Sequence, residues 1–282
     1  MKRTLSLLLN FGQWSFFAGW SLFWMSAAIL SGVLRDPNIP LSWARRFWGR
    51  GLVWIARCQL ERHPGFIPEP GKPYIFVMNH QSLFDIVAAF VAIPVNIRFI
   101  AKKVLRLIPF LGWYMLATGM VFIDRNKRED AVKSLDEACD KIRSGISILV
   151  YPEGTRSRDG LILPFKKGPF VMAIQAGVPI VPVAIEGCQN LLERDSLRIQ
   201  GGRVDIAIGQ PIPTANLSVD DRDALMERVR NALIDLHLTI GGRGGERSTV
   251  YAAGDSSSTA TVAALSTAAS APKLAQALRA QS

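Results

Sequence analysis

The sequence predicts an α/β protein, a sheet covered by helices, preceded by hydrophobic helices that dock on a membrane. Three observations carry this reading. From about residue 65, short apolar runs of strand length alternate with helical stretches, which is how a sheet with helices packed over it reads. Before residue 60 the texture is different: residues 4–34 carry no formal charge, and the segment after them interleaves Trp with Arg. After Gly241 the composition collapses into Gly, Ser, Thr and Ala, as in a flexible tail. The expected organisation is therefore a membrane-associated helical segment at 1–60, an α/β domain at 61–240 and a tail at 241–282.

The elements follow in order. As one helix, residues 4–34 would be about 46 Å long against roughly 30 Å of bilayer hydrocarbon. Such a helix either spans with tilt or bends and lies partly in one leaflet. Lys2 and Arg3 also resemble the start of a signal peptide, but the run is too long and too rich in Trp for one. Residues 41–58 read as an interfacial amphipathic helix, with Trp43, Phe47 and Trp54 on one face and Arg46, Arg50 and Arg57 beside them. Gly49 and Gly51 weaken that helix. Strands are expected at 74–78, 98–100, 120–123, 147–151 and 180–186, with another entering a loop over 202–212. Helices are expected at 86–93, 110–116, 128–144, 170–176 and 220–238, the last begun by acids that suit its dipole.

Composition narrows the function classes. The 282 residues are 49% hydrophobic, which excludes a chain disordered throughout. Cys58, Cys139 and Cys188 are scattered without a CxxC spacing, so a disulfide framework or zinc ribbon is not expected, and no metal is required. The formal net charge of +10 is concentrated early: residues 1–60 hold seven basic groups and one acid, together with six of the seven tryptophans. Trp mixed with Arg suits an anionic membrane surface. A nucleic-acid reader would also be basic, but the uncharged run beside this segment argues against one.

Two segments carry polar groups suited to chemistry. Asn79-His80-Gln81-Ser82-Leu83-Phe84-Asp85 follows a predicted strand and opens a helix. On one continuous helix His80 and Asp85 would lie roughly 140° apart. A strand-to-helix turn can instead fold Asp85 back on the imidazole, fixing its tautomer and leaving the other nitrogen as a general base. The same residues can equally cap the helix without catalytic duty. Tyr151-Pro152-Glu153-Gly154-Thr155-Arg156-Ser157 follows another strand: Gly154 permits close backbone approach, Thr155 offers a hydroxyl, and Arg156 can grip a phosphate. Arg125 ends the run GMVFIDR, just beyond a third strand, where open α/β sheets collect ligands. No G-x-S-x-G elbow, Walker A loop or H-E-x-x-H pair is present.

Four blocks, NHQSLFD (79–85), GMVFIDR (119–125), YPEGTRS (151–157) and VPIVPVAI (178–185), resemble in order the motifs of the 1-acyl-sn-glycerol-3-phosphate (lysophosphatidic acid) acyltransferases, a family of glycerolipid acyltransferases. The resemblance spans roughly residues 65–215, and Tyr151 stands where Phe is usual. It implies a glycerolipid-acyltransferase-like sheet. It also implies that His80, oriented by Asp85, takes the proton from the sn-2 hydroxyl of lysophosphatidic acid. The hydroxyl then attacks an acyl thioester directly, with no acyl-enzyme and no cofactor beyond acyl-CoA or acyl carrier protein as co-substrate. Arg125, Glu153, Gly154, Thr155 and Arg156 are expected to hold the acceptor's phosphate and glycerol. The other acceptors left open are further lyso-lipids such as a lyso-ornithine lipid, and a non-catalytic anionic-lipid-binding protein is the reading from another class. The expected location is the cytoplasmic membrane, with the catalytic domain facing the cytosol and contacting the anionic membrane surface.

Overall fold

The computed structural model describes residues 2–31, 36–123, 128–192 and 196–247. The long uncharged run forms helix α1 (Lys2–Leu30). A nearly continuous helical stretch follows, made of α2 (Asn38–Trp43), a π-helical turn (Ala44–Trp48) and α3 (Gly49–Ile55). The α/β part then runs β1 (Cys58–Arg62), β2 (Ile75–Met78), α4 (Asp85–Ala92), β3 (Ile97–Lys102), a 3₁₀ turn (Lys103–Leu107), α5 (Leu111–Ala117) and β4 (Val121–Ile123). It continues with α6 (Arg128–Arg143), β5 (Ser147–Val150), α7 (Gly168–Ala176), β6 (Ile180–Glu186), α8 (Cys188–Leu191), β7 (Gly202–Ile208) and α9 (Arg222–Thr239).

The strands form one seven-stranded sheet in the order β1-β7-β6-β2-β5-β3-β4. β6, β2, β5, β3 and β4 run parallel, while β7 is antiparallel to β6 and β1 is parallel to β7. Side chains alternate across the sheet with the period of two that a strand imposes. In β2, Phe76 and Met78 face one apolar cluster with α3 and α4, while Ile75 and Val77 face another with α6 and α7. In β6, Val181, Val183 and Ile185 join the first cluster and Ala184 turns to a third, under α9. A sheet covered on both faces needs near-continuous apolar strands, and β2 and β5 are buried at every position.

The expected helix over 41–58 ends earlier, at Ile55, and Cys58 opens β1. Arg57 makes the corner at φ 51°, and its carbonyl accepts from Gly202 N–H across the β1–β7 edge. That edge strand is short and pairs on one side only; Cys58 and Leu60 alternate with Gln59 and Glu61, but over so few residues the signal is absorbed into the helix expected just before it. Of the acids expected at the start of the last helix, Asp223 lies in the first turn of α9, while Asp220 and Asp221 lie in a preceding 3₁₀ turn where Ser218 and Asp221 form a capping box.

Residues 32–34 of the expected run lie outside the described residues, and no described helix is long and apolar enough to cross a membrane. Polar residues along α1 explain this, and several bond to the rest of the protein. Asn10 Oδ1 accepts from Ile199 N–H (2.9 Å), Gln13 Nε2 donates to Ile55 O (3.0 Å), and Trp20 Nε1 donates to Trp48 O (3.1 Å). Trp48 Nε1 in turn donates to Ser21 Oγ (3.0 Å), and the Trp24 and Phe47 rings stack at 5.3 Å. Gly51 and Gly49 are present because these helices approach closely: a Cβ at Gly51 would strike the Trp20 indole, and one at Gly49 would lie 2.7 Å from Val91 Cγ2. Gly51→Val should therefore cost about 1–3 kcal/mol of stability by overpacking and break the Trp20–Trp48 bond. A red-shifted tryptophan emission and faster proteolysis within α1 would report it, with β-sheet content unchanged.

Candidate active site

The carboxyl ends of β2, β5 and β6, adjacent in the sheet, deliver the polar residues to one place. In open α/β sheets this is where ligands bind. After β2, Asn79 extends the strand pairing with its side chain: Oδ1 accepts from Ile185 N–H (2.8 Å) and Nδ2 donates to Ile185 O (2.9 Å). The chain then reverses into α4, whose first residue is Asp85. Asp85 is fully buried, and its Oδ2 accepts from Gln81 N–H (2.7 Å), Ser82 N–H (2.9 Å) and His80 Nδ1 (2.7 Å). An oxygen that already accepts from two amides is the acceptor toward the ring as well, so the proton sits on Nδ1 and Nε2 is left with its lone pair. The five-residue separation thus closes through a tight turn rather than around a helix.

The loop after β5 holds the other side of His80. Glu153 is buried, with Oε1 accepting from His80 N–H (3.0 Å) and Oε2 from Leu163 N–H (3.3 Å). Ser157 N–H donates to His80 O (2.7 Å), so both backbone polar groups of His80 are taken up by this loop. The Tyr151 ring stacks on the imidazole at 4.0 Å and 19°. Burial, reinforced by the Asp85 charge, pushes the Tyr151 hydroxyl and the Cys188 thiol well above their ordinary pKa values. Both stay uncharged beside the dyad, and neither rivals His80 as a base. All three cysteines are free and buried.

A cavity of about 870 Å³ opens against His80. Its polar lining includes Gly154, Thr155, Arg156 and Lys166, and Gly154 turns the loop at φ 71°. Its apolar walls come from distant parts of the chain: Trp24 and Met25 of α1, Trp43 of α2, and Leu111, Tyr114 and Met115 of α5. Of the residues expected to hold a phosphate, Gly154, Thr155 and Arg156 line this cavity. Glu153 does not: its carboxylate turns inward and fastens two loops together, because its oxygens satisfy buried amides. Arg125 lies outside the described residues. Among the described residues no three His, Cys, Asp or Glu side chains are grouped to hold a metal ion.

A second buried network lies behind the first. Gln81 Nε2 donates to Glu186 Oε2 (2.8 Å), which also receives His237 Nε2 (2.7 Å). His237 Nδ1 accepts from Gly244 N–H (3.3 Å), which fixes the ring with its proton on Nε2. Burial raises the Glu186 carboxyl, but the hydrogen bonds from His237 and Gln81 outweigh it and hold the group below its ordinary value. Sequence reasoning missed this arrangement. Gln81 stood inside the block NHQSLFD and Glu186 at the end of the expected strand 180–186, neither with a partner assigned, and His237, at the end of α9, has no local signal linking it to residue 81. The start of the Gly-rich stretch is also fastened here, with Gly244 O accepting from Ile162 N–H (2.8 Å) and Arg243 Nη1 donating to Asp159 O (2.7 Å).

An acyltransferase family model matches residues 59–186. The 1-acyl-sn-glycerol-3-phosphate acyltransferase alpha of Ovis aries is 32% identical over 238 residues, covering 83% of each chain. The chain belongs to the 1-acyl-sn-glycerol-3-phosphate acyltransferase family. The Saccharomyces cerevisiae 1-acyl-sn-glycerol-3-phosphate acyltransferase is 38% identical over 60% of this chain and 57% of its own. In three dimensions this acyltransferase is similar to the crystal structure of the 1-acyl-sn-glycerophosphate (LPA) acyltransferase PlsC from Thermotoga maritima. The TM-score is 0.71 and the identity 29%, over 86% of this chain and 97% of that one.

In this acyltransferase, burial pushes the Glu153 carboxyl from 4.5 up to about 8, against the opposing pull of the His80 and Leu163 amides. A carboxyl whose folded pKa lies above its unfolded one releases its proton more readily on unfolding. The group therefore erodes stability as pH rises from 4.5 toward 8. Glu153→Gln lacks this erosion. Its destabilisation relative to the parent should be larger near about pH 5 than near about pH 9, as read from denaturation midpoints of both proteins at the two pH values.

Proposed function

We propose that this protein transfers an acyl group from a thioester donor to the sn-2 hydroxyl of 1-acyl-sn-glycerol 3-phosphate, giving phosphatidic acid for phospholipid synthesis. The observation that carries the reading is the His80–Asp85 pair, with Nδ1 held at 2.7 Å and the ring lining a largely apolar cavity that also holds Lys102, Arg156 and Lys166. His80 Nε2 takes the hydroxyl proton as the oxygen attacks the thioester carbonyl. The tetrahedral intermediate then collapses and the C–S bond breaks; Nε2 returns its proton to the departing sulfur, which leaves as the free thiol and restores neutral His80. No protein nucleophile takes part, so no acyl-enzyme forms. The thioester is already an activated acyl group, so the reading calls for no resident cofactor.

Arg156 and Thr155 supply a cation and a hydroxyl for the acceptor's phosphate. Fixing that phosphate sets the hydroxyl against the donor, and positioning of this kind can lower a barrier by about 7–11 kcal/mol. The apolar walls take the acyl chain. Either acyl-CoA or acyl carrier protein serves as donor. The protein works at the cytoplasmic face of the membrane, where α1 and the exposed Phe47, Trp54, Arg46 and Arg50 of the following helices meet the anionic lipid surface.

The test is thiol release from acyl-CoA and, separately, from an acyl carrier protein thioester, with and without lysophosphatidate. Release should require lysophosphatidate and should fall by at least about a hundredfold in His80→Ala, the loss of a general base. Asp85→Asn should fall comparably with little change in KM. Arg156→Ala should raise the KM for lysophosphatidate more than it lowers kcat. Release that is indifferent to lysophosphatidate, or full activity in His80→Ala, would overturn the reading.

A further inference from the structure

The stretch between β3 and β4 gives its inward side chains to the cavity wall, while its outward side has no place in the chemistry and presents an unusual surface. Leu107 is 79% exposed, Val104 60% and Trp113 51%, with Leu116, Ile108 and Phe110 also turned outward. Six large apolar side chains within thirteen residues form a patch, which a water-facing loop does not keep without a use. The turn that presents them is built rather than slack. Phe110 sits at φ 61°, a left-handed conformation that non-glycine residues rarely adopt, and its ring packs on Trp113 at 5.2 Å. Gly112 closes the turn so tightly that a Cβ there would strike the Arg106 carbonyl.

The charges beside this patch are all of one sign. Lys102, Lys103 and Arg106 are exposed, and the sequence holds no acid between Asp85 and Asp124. Apolar and aromatic tips rimmed by Lys and Arg match the interface of an anionic bilayer, with hydrocarbon for the tips and phosphate for the cations. The stretch is also continuous with α1. Helices α1 and α5 pack together, and Trp24 and Met25 of α1 line the same cavity as Leu105, Leu111 and Tyr114. The exposed apolar residues of α1, including Leu8, Phe11, Phe23 and Leu30, fall within one half of that helix at about 100° per residue.

We infer that Lys102–Leu116 is a second bilayer-contact element, inserting into an anionic leaflet beside α1, so that the lipid acceptor enters the cavity sideways between the two. This rests on the reading that the acceptor is a membrane lipid. The stretch thereby acts as an insertion wedge, and its basic rim sets the depth at which His80 meets the glycerol hydroxyl.

The test uses the full chain with Leu107→Glu, Trp113→Glu and their combination, none of which touches the dyad or lines the cavity. Binding is measured by co-sedimentation with vesicles of phosphatidylcholine, alone and with phosphatidylglycerol. Activity is measured on long-chain lysophosphatidate in those vesicles and on a short-chain lysophosphatidate dissolved as monomers. The double variant should lose about tenfold or more in vesicle affinity and in activity on the embedded acceptor, while turnover of the dissolved acceptor stays unchanged. Arg106→Glu should weaken binding to the anionic vesicles alone. Unchanged vesicle binding in the double variant, alongside loss in Phe11→Glu, would overturn the second element and leave docking through α1 intact. A change of oligomeric state with no change in vesicle binding would also overturn it, because the patch would then cover a second copy of the chain. Should the parent turn over neither acceptor, the acyl-transfer reading fails, and the vesicle measurement still decides whether this stretch binds lipid.

Discussion

Everything at the active site depends on one carboxylate oxygen. Asp85 Oδ2 gathers two backbone amides and the His80 ring in a site closed to solvent. Those three bonds bend the chain from the end of β2 into the first turn of α4. The same atom therefore shapes the loop and orients the imidazole. A carboxylate at the start of a helix is favourable in any case, because the amide dipoles there point toward it. Here that ordinary stabilisation is coupled to the tautomer of a ring, so local folding and chemical competence cannot be separated.

The neighbouring strands make that turn rigid. Asn79, Gln81 and Ser82 are each tied to the segment of β6 and α8, at Ile185, Glu186 and Leu192. Glu153 and Ser157 clamp the His80 peptide from the β5 side. Through His237 the support reaches helix α9, far along the chain. The proposed role of His80 as a base calls for such surroundings, since a misplacement of about 1 Å can cost a hundredfold in rate. The polar groups are buried in pairs and triads, and that is how they are tolerated beneath a sheet whose strands are almost wholly apolar.

Much of this was legible in the sequence, for reasons that vary from element to element. β2, β5 and β6 are short apolar runs followed at once by motif residues, and they form where expected. β1 was not visible, because its alternation of Cys58 and Leu60 with Gln59 and Glu61 is too short to stand apart from the helix expected over 41–58. The closeness of His80 and Asp85 was anticipated as something a turn could achieve. The turn's cause, two amides on the same oxygen, lies in backbone geometry that residue identity does not encode. Glu153 was placed with the ligand-holding loop only through the resemblance of its block to the family motif. Its actual partners are main-chain groups, which leave no mark in a sequence. The His237–Glu186 contact joins residues 51 apart and was beyond any local pattern.

The position of α1 carries a further consequence. Trp24 and Met25 wall the cavity although they lie more than fifty residues before the dyad, on a helix that holds no reacting group. Preference among fatty chains can therefore drift by substitutions in α1 without disturbing a single atom of the proton-transfer machinery. Under the proposed function, the helix that meets the lipid and the surface that measures the chain are one object. Changes in membrane composition and in product composition would accordingly be recorded in the same stretch of sequence.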